Sequence, residues 1–161
     1  MPELDAAGIV RTLNAHNVRY VVIGGVAAIV HDLPLPATVD IDVTPSRDDE
    51  NLARLADAFD DLDARLLTAE EGGTWFPRHP VENWAQYDTL HLVTRYGPLD
   101  VVFVPDGAPR GFDDLIGSVE KHRIGDSLAS VVSVAAWEQL KQASGRPKDL
   151  EQLDQFRGSA E

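Results

Sequence analysis

The chain contains no cysteine, which excludes disulfides, thiolate metal sites and cysteine nucleophiles. Positive charge is also scarce. Fourteen Lys and Arg stand against 27 Asp and Glu, a formal net charge of −13. So acidic a chain has no general attraction for nucleic acid, whose binding rests on Lys and Arg contacts to phosphate. A nucleic-acid substrate would need a local basic patch or a basic partner. No apolar run approaches the roughly 20 residues of a membrane span, so no membrane partner is expected. The start, Met1-Pro2-Glu3-Leu4-Asp5, lacks the basic-then-apolar pattern of a secretory leader, and a cytoplasmic location is the expectation. What remains is 161 residues, 43% hydrophobic and 25% charged, an ordinary globular make-up long enough for one domain, 1–161, with a real core. Acidic runs such as Asp48-Asp49-Glu50, Asp60-Asp61 and Asp113-Asp114 read as solvated faces or helix starts.

The pattern along the chain alternates helix and strand. Ile9, Val10 and Leu13 recur at helical spacing over residues 5–16, with Asn17 as the stop. A strand over Val18 to Ile23 ends in Gly24-Gly25, which turns into a short helix from Val26 to His31. Pro34 and Pro36 mark a loop, Val39 to Val43 a second strand, and Ser46 or Asp48 the cap of a helix carrying Leu52, Leu55, Ala56 and Phe59. Residues 70–87, with Trp75, Phe76, Arg78, His79 and Trp84, read as a functional or partner-facing loop, with a satellite apolar cluster as the plainer reading of Trp75, Arg78 and His79. Hairpins are expected around Arg95 to Pro98, with Asp100 near the start of its second strand, and around Gly125-Asp126. Two closing helices, Val134 to Ala143 and Lys148 to Phe156, flank Gly145-Arg146-Pro147.

The chemistry lies in three carboxylates. In Thr38-Val39-Asp40-Ile41-Asp42-Val43 the two acids share one face of a strand. They repel each other and are costly when partly buried. A divalent cation between them removes that cost, and Mg²⁺ prefers hard oxygen ligands. Asp100, opening the run Asp100-Val101-Val102-Phe103-Val104, would lie beside them on a neighbouring strand and complete a second metal site. Two ions held so can stabilise the attacking and leaving oxygens of an in-line displacement. A glycine turn before a helix start gives backbone N–H groups for phosphates. Each signal alone is common; together they point to metal-assisted phosphoryl chemistry.

The stretch Val22-Ile23-Gly24-Gly25-Val26-Ala27-Ala28-Ile29-Val30-His31, followed by Ala37-Thr38-Val39-Asp40-Ile41-Asp42-Val43, resembles the minimal nucleotidyltransferases of the polymerase-beta superfamily. The likeness is strongest to the bacterial abortive-infection and toxin–antitoxin type. Trp137 to Leu150, with a Lys followed by Gly145-Arg146-Pro147-Lys148-Asp149, resembles that family's closing helices. The resemblance spans about residues 18–156. It implies an α/β fold, a short mixed sheet with flanking helices (core about 18–106) and a C-terminal hairpin and helical pair (about 107–157). It also implies Mg²⁺-dependent transfer of a nucleoside monophosphate from an NTP to an acceptor hydroxyl on a tRNA, a protein or a small molecule, with a cognate antitoxin as a further partner.

Under the resemblance Asp40, Asp42 and Asp100 are the catalytic metal ligands for two Mg²⁺. Gly24 and Gly25, with Lys141, Arg146 and Lys148, bind the nucleotide. Helix-end capping and solvated charge are the plain alternative for the three cations. Asp149 is expected to cap or pair with a nearby base, and His31 to end its helix. The sequence departs from the family where an Arg often stands at Pro36, where a Gly usually follows the His at Asp32, and where Ser often replaces Gly25. Pro36 and Asp32 support a rival expectation, a nucleotide- or partner-binding protein of the same fold without turnover.

Overall fold

The apolar runs assemble into one mixed sheet. The computed structural model describes residues 2–76, 84 and 87–159. Its strands are β1 (Tyr20–Ile23), β2 (Ile41–Pro45), β3 (Arg65–Leu66), β4 (Thr89–Thr94), β5 (Gly97–Val102), β6 (Val119–Ile124) and β7 (Ser127–Val132), and they lie in the order β3-β4-β5-β2-β1-β7-β6. β1 runs antiparallel to β2 and parallel to β7, while β2 runs parallel to β5. The flanking hairpins β4–β5 and β6–β7 are antiparallel. All four residues of β1 are buried, as a strand covered on both faces must be.

Among the described residues six α-helices surround the sheet: α1 (Ala6–Ala15), α2 (Gly24–Val30), α3 (Asp49–Leu62), α4 (Phe112–Leu115), α5 (Val134–Ser144) and α6 (Pro147–Ser159). Their ends follow local chemistry. Asp5 caps α1 by accepting from the Gly8 N–H at 3.0 Å, and Asn17, at φ +56°, turns the chain away after it. Of the two caps expected for α3, Asp48 serves, accepting from the Asn51 N–H at 2.8 Å. Leu52, Leu55, Ala56 and Phe59 then face inward as their spacing requires. Ser133 caps α5, Gly145 at φ +63° ends it, and Pro147 takes the first turn of α6, where its missing N–H costs nothing. α1 packs on α3 and β7; α2 packs on β1, β2 and α5; α5 packs on α6, with the Trp137 and Phe156 rings edge to face at 5.7 Å.

Some boundaries differ from expectation, and one strand is new. α2 begins at Gly24 itself, so the chain passes from strand to helix without a linker. β2 begins at Ile41, leaving Asp40 just ahead of it. The hairpin turn is only Arg95-Tyr96. Gly97 and Pro98 are already paired with Thr94 and Val93, which makes Asp100 the fourth residue of its strand. The two-residue β3, too short to show a period, extends the sheet beyond β4. Within the 70–87 stretch, Phe76 and Trp84 are buried beside Phe59, with ring centroids 6.2 and 5.3 Å from it, whereas Trp75 is exposed. Arg78 and His79 lie outside the described residues.

Candidate active site

Strand register assembles the site. Parallel pairing of β2 with β5 sets Asp42 beside Asp100, and antiparallel pairing of β1 with β2 sets Ile23 opposite Asp42. Asp40 arrives from the turn before β2, where the Thr38 hydroxyl lies 3.0 Å from the Asp40 carbonyl oxygen and 3.3 Å from its Oδ1. One carboxylate oxygen from each of Asp40, Asp42 and Asp100 falls within 4.8 Å of the others. The three acids expected to converge therefore do so. Burial, reinforced by the Asp40 and Asp100 charges and a hydrogen bond with Asp100, pushes the Asp42 carboxyl from 3.8 up to about 8; Lys141 pulls it the other way. Three close, half-shielded carboxylates, one of them resisting ionisation, form a donor set that a hard divalent cation would neutralise, and Mg²⁺ suits it.

The glycine pair has a tighter reason than the sequence suggests. Gly24 sits at φ +67°, and a Cβ there would lie 2.1 Å from Asp42 Oδ2. A Cβ at Gly25 would meet the Thr38 Cβ at 2.8 Å and Oγ1 at 2.9 Å. The room left by each glycine is thus taken first by the chain's own Asp42 and Thr38. Both glycines still line a cleft of about 780 Å³ together with the three carboxylates.

The far wall of that cleft is the α5–α6 corner, which contributes Lys141, Arg146 and Lys148. The structure brings all three expected cations to the carboxylates' cleft but does not leave them equivalent. Lys141 donates to Asp149 Oδ1 at 2.9 Å, with both side chains largely buried, and the Ser144 hydroxyl donates to the other oxygen of Asp149. Burial alone would raise the Asp149 carboxyl. Ser144 and Lys141, with the Arg146 charge, outweigh it and hold that carboxyl below its usual range. Arg146 faces Asp106 at 3.6 Å. Lys148 is exposed and, among the described residues, has no ion-pair partner.

His91 escaped the sequence reading. It stands opposite Asp100 across β4–β5, and its Nδ1 lies 2.9 Å from Asp100 Oδ1. The two-residue turn fixes this register, so a correct placement of that turn would have revealed the pair. Thr38 was visible as part of the Thr-x-Asp-x-Asp run, but its bridging of Gly25 and Asp40 was not. A second cavity, about 390 Å³, lies at the opposite end of β2 beside Arg19, Arg47 and Arg110. Its arginines are engaged by Asp48, by the Trp84 and Tyr87 carbonyls and by Asp114 respectively.

No protein-family model matches the chain, and no curated protein is similar to it in sequence. Solved structures do match. A Thermotoga maritima protein assigned as a nucleotidyltransferase, TM1012, is 15% identical over 94% of this chain and 89% of its own, with a TM-score of 0.57. The lincosamide antibiotic adenylyltransferase LnuA, solved with lincomycin bound, is 16% identical over 96% and 98%, with a TM-score of 0.60. The antibiotic-resistance factor ANT(2'')-Ia is 15% identical over 97% and 84%, with a TM-score of 0.56. At these identities the likeness is one of architecture: the chain has the nucleotidyltransferase fold.

Proposed function

We propose that this chain is a Mg²⁺-dependent nucleotidyltransferase that moves a nucleoside monophosphate from an NTP to an acceptor hydroxyl and releases pyrophosphate. The observation that carries this reading is the convergence of Asp40, Asp42 and Asp100 on one cleft whose opposite wall is cationic. Asp40, Asp42 and Asp100 would hold Mg²⁺, which when bound supplies charge neutralisation at the triphosphate. The chain's own groups orient the reactants. Thr38 fixes Asp40, His91 fixes Asp100, and Gly24 lets the Asp42 carboxylate sit against the backbone. Lys148 attracts the phosphates across the cleft, and Lys141, held by Asp149, adds its charge to the same wall. Asp100, with its side chain 20% exposed, would accept the acceptor's proton.

For the acceptor we favour a small molecule. Two of the three cleft cations already face acids, Lys141 with Asp149 and Arg146 with Asp106, which leaves little basic surface for tRNA on a chain of net charge −13. The likeness to LnuA and ANT(2'')-Ia, named for antibiotics, supports the same class. A protein acceptor and a toxin–antitoxin setting rest on the sequence resemblance alone. The rival reading, binding without turnover, loses one support. Asp32 adopts φ +55°, which explains why glycine is usual at that position, and Asp tolerates this conformation better than most residues. The reading is tested by pyrophosphate release from Mg²⁺ and each NTP, with panels of hydroxyl-bearing small molecules and with bulk tRNA. Release that needs a small hydroxyl compound and stops in Asp100→Asn supports it. NTP binding with no release under any acceptor supports the rival.

A further inference from the structure

A second cluster of ligating side chains lies away from the cleft. α2 is seven residues long, so its two ends stand about 10 Å apart. Gly24 at one end touches the carboxylate site, and His31 closes the other. There the His31 side chain, only 8% exposed, meets Glu120 and His122 from β6. Glu120 and His122 are two apart on that strand and so share a face. One ligand atom from each of the three residues lies within 4.8 Å of the others. His31 Nε2 is 3.9 Å from Glu120 Oε2, and the two imidazole rings meet edge to face at 4.9 Å. His122 Nε2 is buried and, among the described residues, has no hydrogen-bond partner. A buried ring nitrogen without a partner is costly, and nothing in the proposed transfer reaction uses it.

We propose that His31, Glu120 and His122 form a binding site for a borderline transition-metal ion, Zn²⁺ above all, separate from the carboxylate site. The donor set argues for the ion class. Two imidazoles and one carboxylate suit Zn²⁺, whereas Mg²⁺ favours oxygen ligands. Tetrahedral Zn²⁺ with bonds near 2.0–2.1 Å holds its ligand atoms about 3.4 Å apart, so the cluster, whose ligand atoms lie within 4.8 Å of one another, must contract to hold an ion. Glu120, 53% exposed, has the freedom to close. His31 Nε2 now lies 2.7 Å from the Val132 carbonyl oxygen; binding an ion at that nitrogen requires the contact to open and the ring proton, if it sits there, to leave. Once bound, it ties the end of α2 to the edge hairpin β6–β7.

Calorimetry with ZnCl₂ and the visible spectrum of the Co²⁺-loaded full chain test this. The expected result is one Zn²⁺ per chain, an intense tetrahedral Co²⁺ spectrum, and both retained in the Asp40→Asn/Asp42→Asn double variant. Glu120→Gln, at a half-exposed position, and His122→Ala should each weaken Zn²⁺ by more than the roughly 10–100-fold that loss of a residue merely supporting a ligand costs. The thermal shift produced by Zn²⁺ should fall with them. Glu120→Gln keeps the test open if His122→Ala fails to fold. No Zn²⁺ binding, binding indifferent to Glu120→Gln, or binding lost in the Asp40→Asn/Asp42→Asn variant would overturn the proposal.

Discussion

Replacing Asp42 by Asn should make the metal-free protein more stable while removing its proposed activity. Folding drives this carboxyl from 3.8 up to about 8, chiefly through burial and then through the Asp40 and Asp100 charges. Each tenfold displacement of an acid equilibrium is about 1.4 kcal/mol, so the cost of keeping Asp42 ionised has a ceiling of roughly 6 kcal/mol. Relaxation and water entry offset much of such a cost, and about 2 kcal/mol is the expected gain at pH 8. For a chain of this size that is a Tm rise of about 4–8 °C. The sign with pH follows from linkage. The native state holds the Asp42 proton above pH 4, where the unfolded chain has lost it, so wild-type stability falls as pH rises from about 4 to about 8 and then levels. Asp42→Asn should flatten that slope, matching wild type near pH 4 and exceeding it at pH 8. Mg²⁺ should raise the wild-type Tm at pH 8 and leave the variant's nearly unchanged. Differential scanning calorimetry in EDTA and in Mg²⁺ reads all of this. An Asp42→Asn protein less stable than wild type at pH 8, with an unaltered pH slope, would mean that the Asp42 carboxylate does not destabilise the metal-free fold.

Four other outcomes are expected. Gly24→Ala, which forces a Cβ against Asp42 Oδ2 at a φ of +67°, should lower stability by about 1–3 kcal/mol and abolish Mg²⁺-dependent NTP binding; chemical denaturation and calorimetry check both. His91→Ala, at a side chain 63% exposed, should leave stability within about 0.5 kcal/mol yet weaken Mg²⁺ roughly 10–100-fold by freeing Asp100, measured by calorimetry. Lys148→Ala should spare Tm and weaken NTP binding, with KM rising in a pyrophosphate assay. Lys141→Ala should lose both NTP binding and about 1.5–3 kcal/mol of stability, because it strands the largely buried Asp149.

Much of the site was legible because it lies where local pattern is strong. The apolar run ending in Gly24-Gly25, the Thr38 to Val43 run and the Asp100 strand all became neighbouring strands, and their alternation settled which side chains share a face. The parallel pairing of β1 with β7, joining residues Val22 and Val131, has no local signature and could not be read. Nor could the pairing of Lys141 with Asp149, which depends on how α5 meets α6, although a pairing for Asp149 was anticipated. Within the 70–87 stretch the described aromatics divide between core and surface. Phe76 and Trp84 are core residues covering Phe59, and composition alone does not distinguish a buried aromatic from one that faces a ligand. Asp40 looked like a strand residue because alternation continues through it, yet the Thr38 hydroxyl holds it in a turn.

Whether the three carboxylates support transfer of the α-phosphoryl group is decided by where the label goes. The purified chain is incubated with Mg²⁺ and a small hydroxyl acceptor, using NTP labelled in parallel at the α and γ phosphates. The expected result is α label on the acceptor, γ label in pyrophosphate, and neither in Asp40→Asn, Asp42→Asn or Asp100→Asn proteins that remain folded. Label from the γ position on the acceptor, or undiminished α transfer by any of those three variants, would contradict it.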